Sequence, residues 1–132
     1  DRKTVQLTIN IRYPVTMDAE EVYSGLMTVL DSYDLGIVKG QHQEPIYMPA
    51  DSPLITKMMD IYRKHTGDEY CEPVVIGGGT YARAMDNIIA FGARFPERPE
   101  LAHQKNEKIS EDDLVKMAQI YAEAVWALSE ME

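Results

Sequence analysis

His103 lies in the stretch AHQKNE, with Gln104, Asn106 and Glu107 close by. A loop histidine among polar groups can bind zinc through one ring nitrogen while an acceptor orients the other, and it can equally be a solvated surface side chain. A zinc site needs three or four protein ligands, and the chain offers neither HExxH nor CxxC. His42 in GQHQEP and His65 in RKHTGD have no paired ligand spacing either, so most of any metal site is expected outside these residues. The run Gly77, Gly78, Gly79 and Thr80 is a second candidate. Residues without Cβ let the backbone approach a ligand and turn amide N–H groups toward an anion. A phosphate loop would close on Gly-Lys-Ser or Gly-Lys-Thr, whereas here the glycines meet Thr80 and Tyr81. A carboxylate clamp and a plain tight turn both stay open. Arg12 is the third candidate: a guanidinium ending a polar strand face can hold a carboxylate by two parallel hydrogen bonds, or stand solvated. No GxSxG pattern marks a serine nucleophile.

Bulk composition narrows the partners. Thirteen basic residues against 22 acidic ones give a net charge of -9, which repels a phosphate backbone and argues against nucleic acid. Hydrophobic residues make up 45% and charged ones 27%, with no apolar run near the roughly 20 residues that a membrane-spanning helix needs. A soluble globular chain without a membrane partner is expected. Cys71 is the only cysteine, which rules out an internal disulfide and suits a reducing compartment, so the cytoplasm is expected. The opening DRKTVQLTINIRYP has no initiator methionine, basic leader or small-residue cleavage site, and it reads as the start of a fragment.

The elements that would position these residues follow from periodicity. Val5, Leu7, Ile9 and Ile11 alternate with Gln6, Thr8, Asn10 and Arg12, the period of a half-buried strand with Arg12 on its polar face. In MDAEEVYSGLMTVLDSYD, Val22, Leu26, Val29 and Leu30 fall at helical spacing, and Asp18 and Glu21 suit the first turn. GIVKGQHQEPIYM then reads as one strand or two short ones, completing a β-α-β unit. PADSP, from Pro49 to Pro53, is the candidate domain boundary, where Ser52 can cap a helix and Pro53 can open it. Leu54, Met58, Ile61 and Tyr62 share a face of that helix, and Gly67 is placed to end it. Pro73 to Ile76 reads as a short buried strand running into the glycines, and Ile88 to Gly92 as another that leads into the loop carrying His103. Ser110 or Asp112 caps a final helix whose apolar face is Leu114, Ala118, Tyr121, Val125 and Leu128.

Taken in order, NIRYP, HQEPIYMPADSPLI, IGGGTYAR, FGARFP, AHQKNE and IYAEAVWAL resemble the C-terminal part of bacterial dipeptidases in the aminoacylase-type, di-zinc metallopeptidase family. The likeness spans nearly the whole chain, and six separated motifs in the right order make it specific. It implies an α/β (α+β) fold: residues 1–48 as the C-terminal, ferredoxin-like β-α-β half of a lid domain, and residues 49–132 as the C-terminal α/β segment of the zinc-dependent catalytic domain. It implies two zinc ions in the complete enzyme, with His103 as the last metal ligand and the other ligands and the general base in the missing N-terminal part. By the same resemblance Arg12 falls on the lid arginine that takes a substrate's C-terminal carboxylate. Gly77, Gly78, Gly79 and Thr80 fall on the loop that helps to hold the peptide.

The implied function is hydrolysis of short peptides by a metal-activated water. A grip on the free carboxylate would select short substrates by measuring from the chain end. The family also holds N-acyl amino acid deacylases and desuccinylases, while HQEPIYMP and GGGTYAR favour a dipeptide. The rival from another class is a non-catalytic module, in which the first lobe dimerises or binds a small ligand. The 132 residues by themselves are expected to be inactive and, lacking partner strands, to expose apolar surface and self-associate.

Overall fold

A computed structural model describes residues 4–92, 94–95 and 97–131. The chain divides into two compact units, Asp1–Tyr47 and Met48–Glu132.

In the first unit the regular element is α1, Ala19–Asp31. Its start is fixed by a reciprocal cap: the Glu21 N–H donates to Asp18 Oδ1 at 2.7 Å, and the Asp18 N–H donates to Glu21 Oε2 at 3.0 Å. Two of the amide donors orphaned at a helix start are thereby satisfied. Val22, Leu26 and Leu30 are half-buried, but no α1 residue is fully buried. Polar ties accompany the half-buried side chains in this unit. Lys39 Nζ reaches Glu20 Oε1 at 2.6 Å and lies 4.1 Å from the centre of the Tyr23 ring.

The second unit is built on two helices, α2 at Pro53–Thr66 and α3 at Glu111–Ser129. Ser52 caps α2 with Pro53 as its first residue, and Gly67 ends it at φ 73, the left-handed region that glycine enters without a Cβ penalty. Ser110 caps α3, accepting from the Asp113 N–H at 3.1 Å. Met58, Ile61 and Tyr62 of α2 pack with Ile120, Ala124 and Ala127 of α3, with Leu54, Cys71, Phe91 and Phe95 partly buried against them. Small alanines on α3 let the two helices approach closely. A polar clasp borders this core: Glu123 accepts from Lys64 Nζ at 2.7 Å and pairs with His65 Nε2 at 2.7 Å.

The architecture corrects the α/β expectation. Among the described residues the regular structure is entirely helical, and no strand or sheet forms. The ferredoxin-like β-α-β half does not form among the described residues. Residues 5–12 and 36–48 run without regular structure on either side of α1, and Val5 and Leu7 are 95% and 80% exposed. The α/β segment expected after residue 49 likewise shows no sheet among its described residues. Residues 73–76 run unpaired, Val75 is 98% exposed, and residues 88–92 have no ladder. Alternation records which side chains could be buried together, but a strand exists only when another strand takes its N–H and C=O groups. None of these segments finds such a partner among the described residues. The face of α3 also differs from expectation. Ile120, Ala124 and Ala127 meet α2, whereas Leu114, Val125 and Leu128 are exposed.

Candidate functional site

His103 is placed by its anchors. Upstream, Phe95 packs on the helical core, and the Tyr62 hydroxyl donates to the Arg94 carbonyl at 2.7 Å. Burial pushes the Tyr62 phenol up, which keeps that donor protonated. Arg98 Nε and Nη2 then donate to the two oxygens of Asp113, at 2.7 and 2.9 Å. This two-toothed pair closes the segment onto the first turn of α3. Hydrogen bonds from Arg98 hold the Asp113 carboxyl below its ordinary value, with Ser110 adding to the effect.

Between those anchors the chain makes two successive turns, with the Gln104 N–H donating to the Leu101 carbonyl at 3.0 Å and the Glu107 N–H donating to the Gln104 carbonyl at 3.2 Å. His103 and Asn106 both take left-handed backbone, at φ 59 and 64. Such conformations are uncommon outside glycine, with histidine and asparagine among the tolerant residues. The Glu107 carboxylate accepts from the His103 backbone N–H at 3.3 Å, so it holds the turn by the main chain. The imidazole itself is exposed.

A cavity of about 550 Å³ lies under this loop, lined by Arg94, Arg98, Leu101, Lys108, Ser110 and Asp113 among others. Neither His103 nor Gly77 to Thr80 lines it. Two of its cations already face carboxylates, Arg94 toward Glu100 and Arg98 toward Asp113.

The glycine run is held at both ends. Arg63 Nη2 donates to the Cys71 carbonyl at 2.7 Å before it. After it, Thr80 caps a 3-10 turn, Tyr81–Ala84, accepting from the Ala82 N–H at 3.2 Å, and Ala82 is buried. Gly77, Gly78 and Gly79 are exposed, and none has a left-handed φ. A Cβ at Gly77 or Gly78 would meet nothing within 4 Å, and one at Gly79 would stand 3.6 Å from Arg83 Nε. The described residues thus give no steric reason for three consecutive glycines.

Arg12 is exposed on the extended segment before α1. It belongs to the first unit, whereas His103 and the glycine run belong to the second. The other two histidines take structural partners that their local sequence does not announce. His65 pairs with Glu123, 58 residues away, and His42 Nε2 with the Tyr13 hydroxyl, 29 residues away.

Residues 3–127 match the family described as Peptidase family M20/M25/M40. The chain belongs to this peptidase family. Staphylococcal relatives carry the name "Putative dipeptidase": one from Staphylococcus haemolyticus strain JCSC1435 is 39% identical over 120 residues, and one from Staphylococcus saprophyticus is 40% identical over 120. A third, from Staphylococcus aureus strain USA300, is 38% identical over the same length. Each alignment covers 91% of this chain and 25% of the relative. The chain therefore spans about a quarter of the length of the curated relatives it matches. No solved structure matches.

Zinc would need several ligands brought together. Among the described residues no group of three or more histidine, cysteine, aspartate or glutamate side chains is placed to hold a metal ion. His103 has the donor chemistry for one ligand position, and the residues here do not by themselves make the site. No described helix is long and apolar enough to cross a membrane.

Proposed function

We propose that these 132 residues are part of a cytoplasmic, zinc-dependent dipeptidase, contributing a metal ligand and substrate-binding groups to an active site completed outside them. The observation that carries the reading is the family match over residues 3–127 together with relatives named as dipeptidases. The exposed His103 imidazole, held by its backbone on a doubly anchored loop, supports its role as a ligand. When bound, zinc would supply a water of lowered pKa and polarise the peptide carbonyl.

The chain's own residues bind and orient. His103 offers a ring nitrogen at a position fixed by Glu107 and by the Arg98 to Asp113 pair. Arg12 grips the carboxylate of a free dipeptide in two hydrogen bonds, restricting hydrolysis to the residue next to the chain end. Gly77, Gly78 and Gly79 leave room for peptide backbone, with Thr80 fixing the loop's exit. Without the remaining ligands and the general base, the 132 residues alone hydrolyse nothing.

The test is metal content and turnover of the full-length protein with a free dipeptide and, separately, with N-acetyl and N-succinyl amino acids. Bound zinc with preferential dipeptide cleavage is expected, and His103→Ala should lose or loosen one zinc and nearly abolish turnover while leaving the metal-free melting temperature almost unchanged. Preferential cleavage of the acyl amino acids would make the protein a deacylase. A full-length protein that binds no zinc and cleaves neither class would favour a non-catalytic module. Wild-type zinc content and turnover in His103→Ala would remove that residue from the site.

A further inference from the structure

Arg12 sits in a unit whose helix buries no side chain completely, so packing alone cannot fix where its guanidinium starts from. The next residue provides another means. The Tyr13 hydroxyl is hydrogen-bonded to His42 Nε2, with the two rings nearly parallel, 8° between their planes and centroids 6.0 Å apart. On the far side of the ring, His42 Nδ1 lies 3.6 Å from Glu44 Oε1. A phenol, an imidazole and a carboxylate thus stand in a row joining the segment before α1 to the segment after it. Lys39, three residues before His42, ties that second segment to α1 through Glu20 and the Tyr23 ring.

We propose that Tyr13, His42 and Glu44 are positioning residues that hold the Arg12 backbone where its guanidinium meets the substrate's carboxylate. The inference rests on the reading of Arg12 as the carboxylate grip. Consecutive Cα atoms are only about 3.8 Å apart, so pinning Tyr13 pins the base of the arginine side chain. A prepositioned base lowers the ordering cost of binding, which is how a group that never touches substrate can change affinity. Loss of hydration, with Glu44 and Asp18 nearby, raises the Tyr13 pKa. The phenol therefore stays a potential proton donor for the hydrogen bond to His42.

The experiment compares KM and kcat of the full-length enzyme for a free dipeptide and for the same dipeptide with an amidated C-terminus. Arg12→Ala is measured first and should raise KM for the free dipeptide far more than for the amide. Tyr13→Phe and His42→Leu should each raise KM for the free dipeptide about fivefold, the equivalent of one ordinary hydrogen bond. Their kcat should stay within about twofold and KM for the amide should not move, the pattern of lost binding without lost chemistry. The double variant should be no worse than either single one, because both break the same row. His42→Gln, which keeps a polar partner for the phenol, should restore part of the loss. If Arg12→Ala affects both substrates alike, the carboxylate grip and this inference fall together. If Arg12→Ala is selective but Tyr13→Phe and His42→Leu leave KM unchanged, or damage both substrates equally, the grip stands and the positioning role is overturned.

Discussion

At the scale of single residues, the side chains that hold the His103 loop and the helix pair are charged groups whose partners lie far along the chain. Asp113 is buried, and its carboxyl is held below its ordinary value by hydrogen bonds from Arg98 and Ser110. Glu123 is held low in the same way by Lys64 and His65. In both cases the folded state binds protons less readily than the unfolded chain, so stability rises with pH across the carboxylate range. The contribution is fully present above the unfolded carboxylate pKa and is lost as pH falls through the depressed folded values. Thermal unfolding followed by circular dichroism over a pH series should therefore show the melting temperature falling on acidification below the ordinary carboxylate range. An Asp113→Asn, Glu123→Gln double variant should melt lower at neutral pH and depend less on pH over that window. An acid dependence identical to that of the parent would remove these pairs from the account. Neither pair is visible in the sequence, since Arg98 and Asp113 are separated by a loop and His65 and Glu123 by 58 residues. Arg12, Gly77 to Thr80 and His103 were legible as donors of suitable chemistry, but their roles rested on resemblance, because one side chain never defines a site.

At the scale of elements, helix ends are set by local signals. Asp18 with Glu21, Ser52 with Pro53, Gly67 and Ser110 all mark helix ends in the structure, because caps and periodicity involve residues within a turn of each other. The strands expected from alternation do not form, because pairing is not local: residues 5–12 carry the alternation of a strand and no ladder. The same distinction explains α3, where the sequence points to the stripe of Leu114, Val125 and Leu128 while Ile120, Ala124 and Ala127 face α2. Gly67→Ala should destabilise the second unit by about 1–2 kcal/mol, since a Cβ is forced into left-handed backbone at φ 73. Urea unfolding at neutral pH measures it, and an unchanged midpoint would show that the cap relaxes freely. Ile120→Ala should cost more, about 2–5 kcal/mol, because Ile120 is fully buried between the helices.

At the scale of the whole molecule, the chain carries more apolar surface than its own elements cover. On α3, Leu114, Val115, Val125, Trp126 and Leu128 are all exposed beside the stripe that meets α2. A helix apolar on more than one side belongs inside a larger core, and the relatives' greater length is compatible with such a core. In the isolated chain the same surface should drive copies together. A net charge of -9 opposes this, and salt weakens that repulsion while leaving apolar contact intact. Self-association should accordingly grow with both protein concentration and ionic strength. Trp126, the single tryptophan, is 67% exposed, so its fluorescence reports on the very surface in question. Its emission should shift to shorter wavelength as concentration rises, in step with the mass measured by light scattering. Val125→Lys, on the exposed stripe and away from the buried Ile120, Ala124 and Ala127, should return the chain to a monomer without lowering its helix content. A chain that stays monomeric in high salt, with solvent-like emission at every concentration, would mean that these exposed side chains are too dispersed to act as one patch.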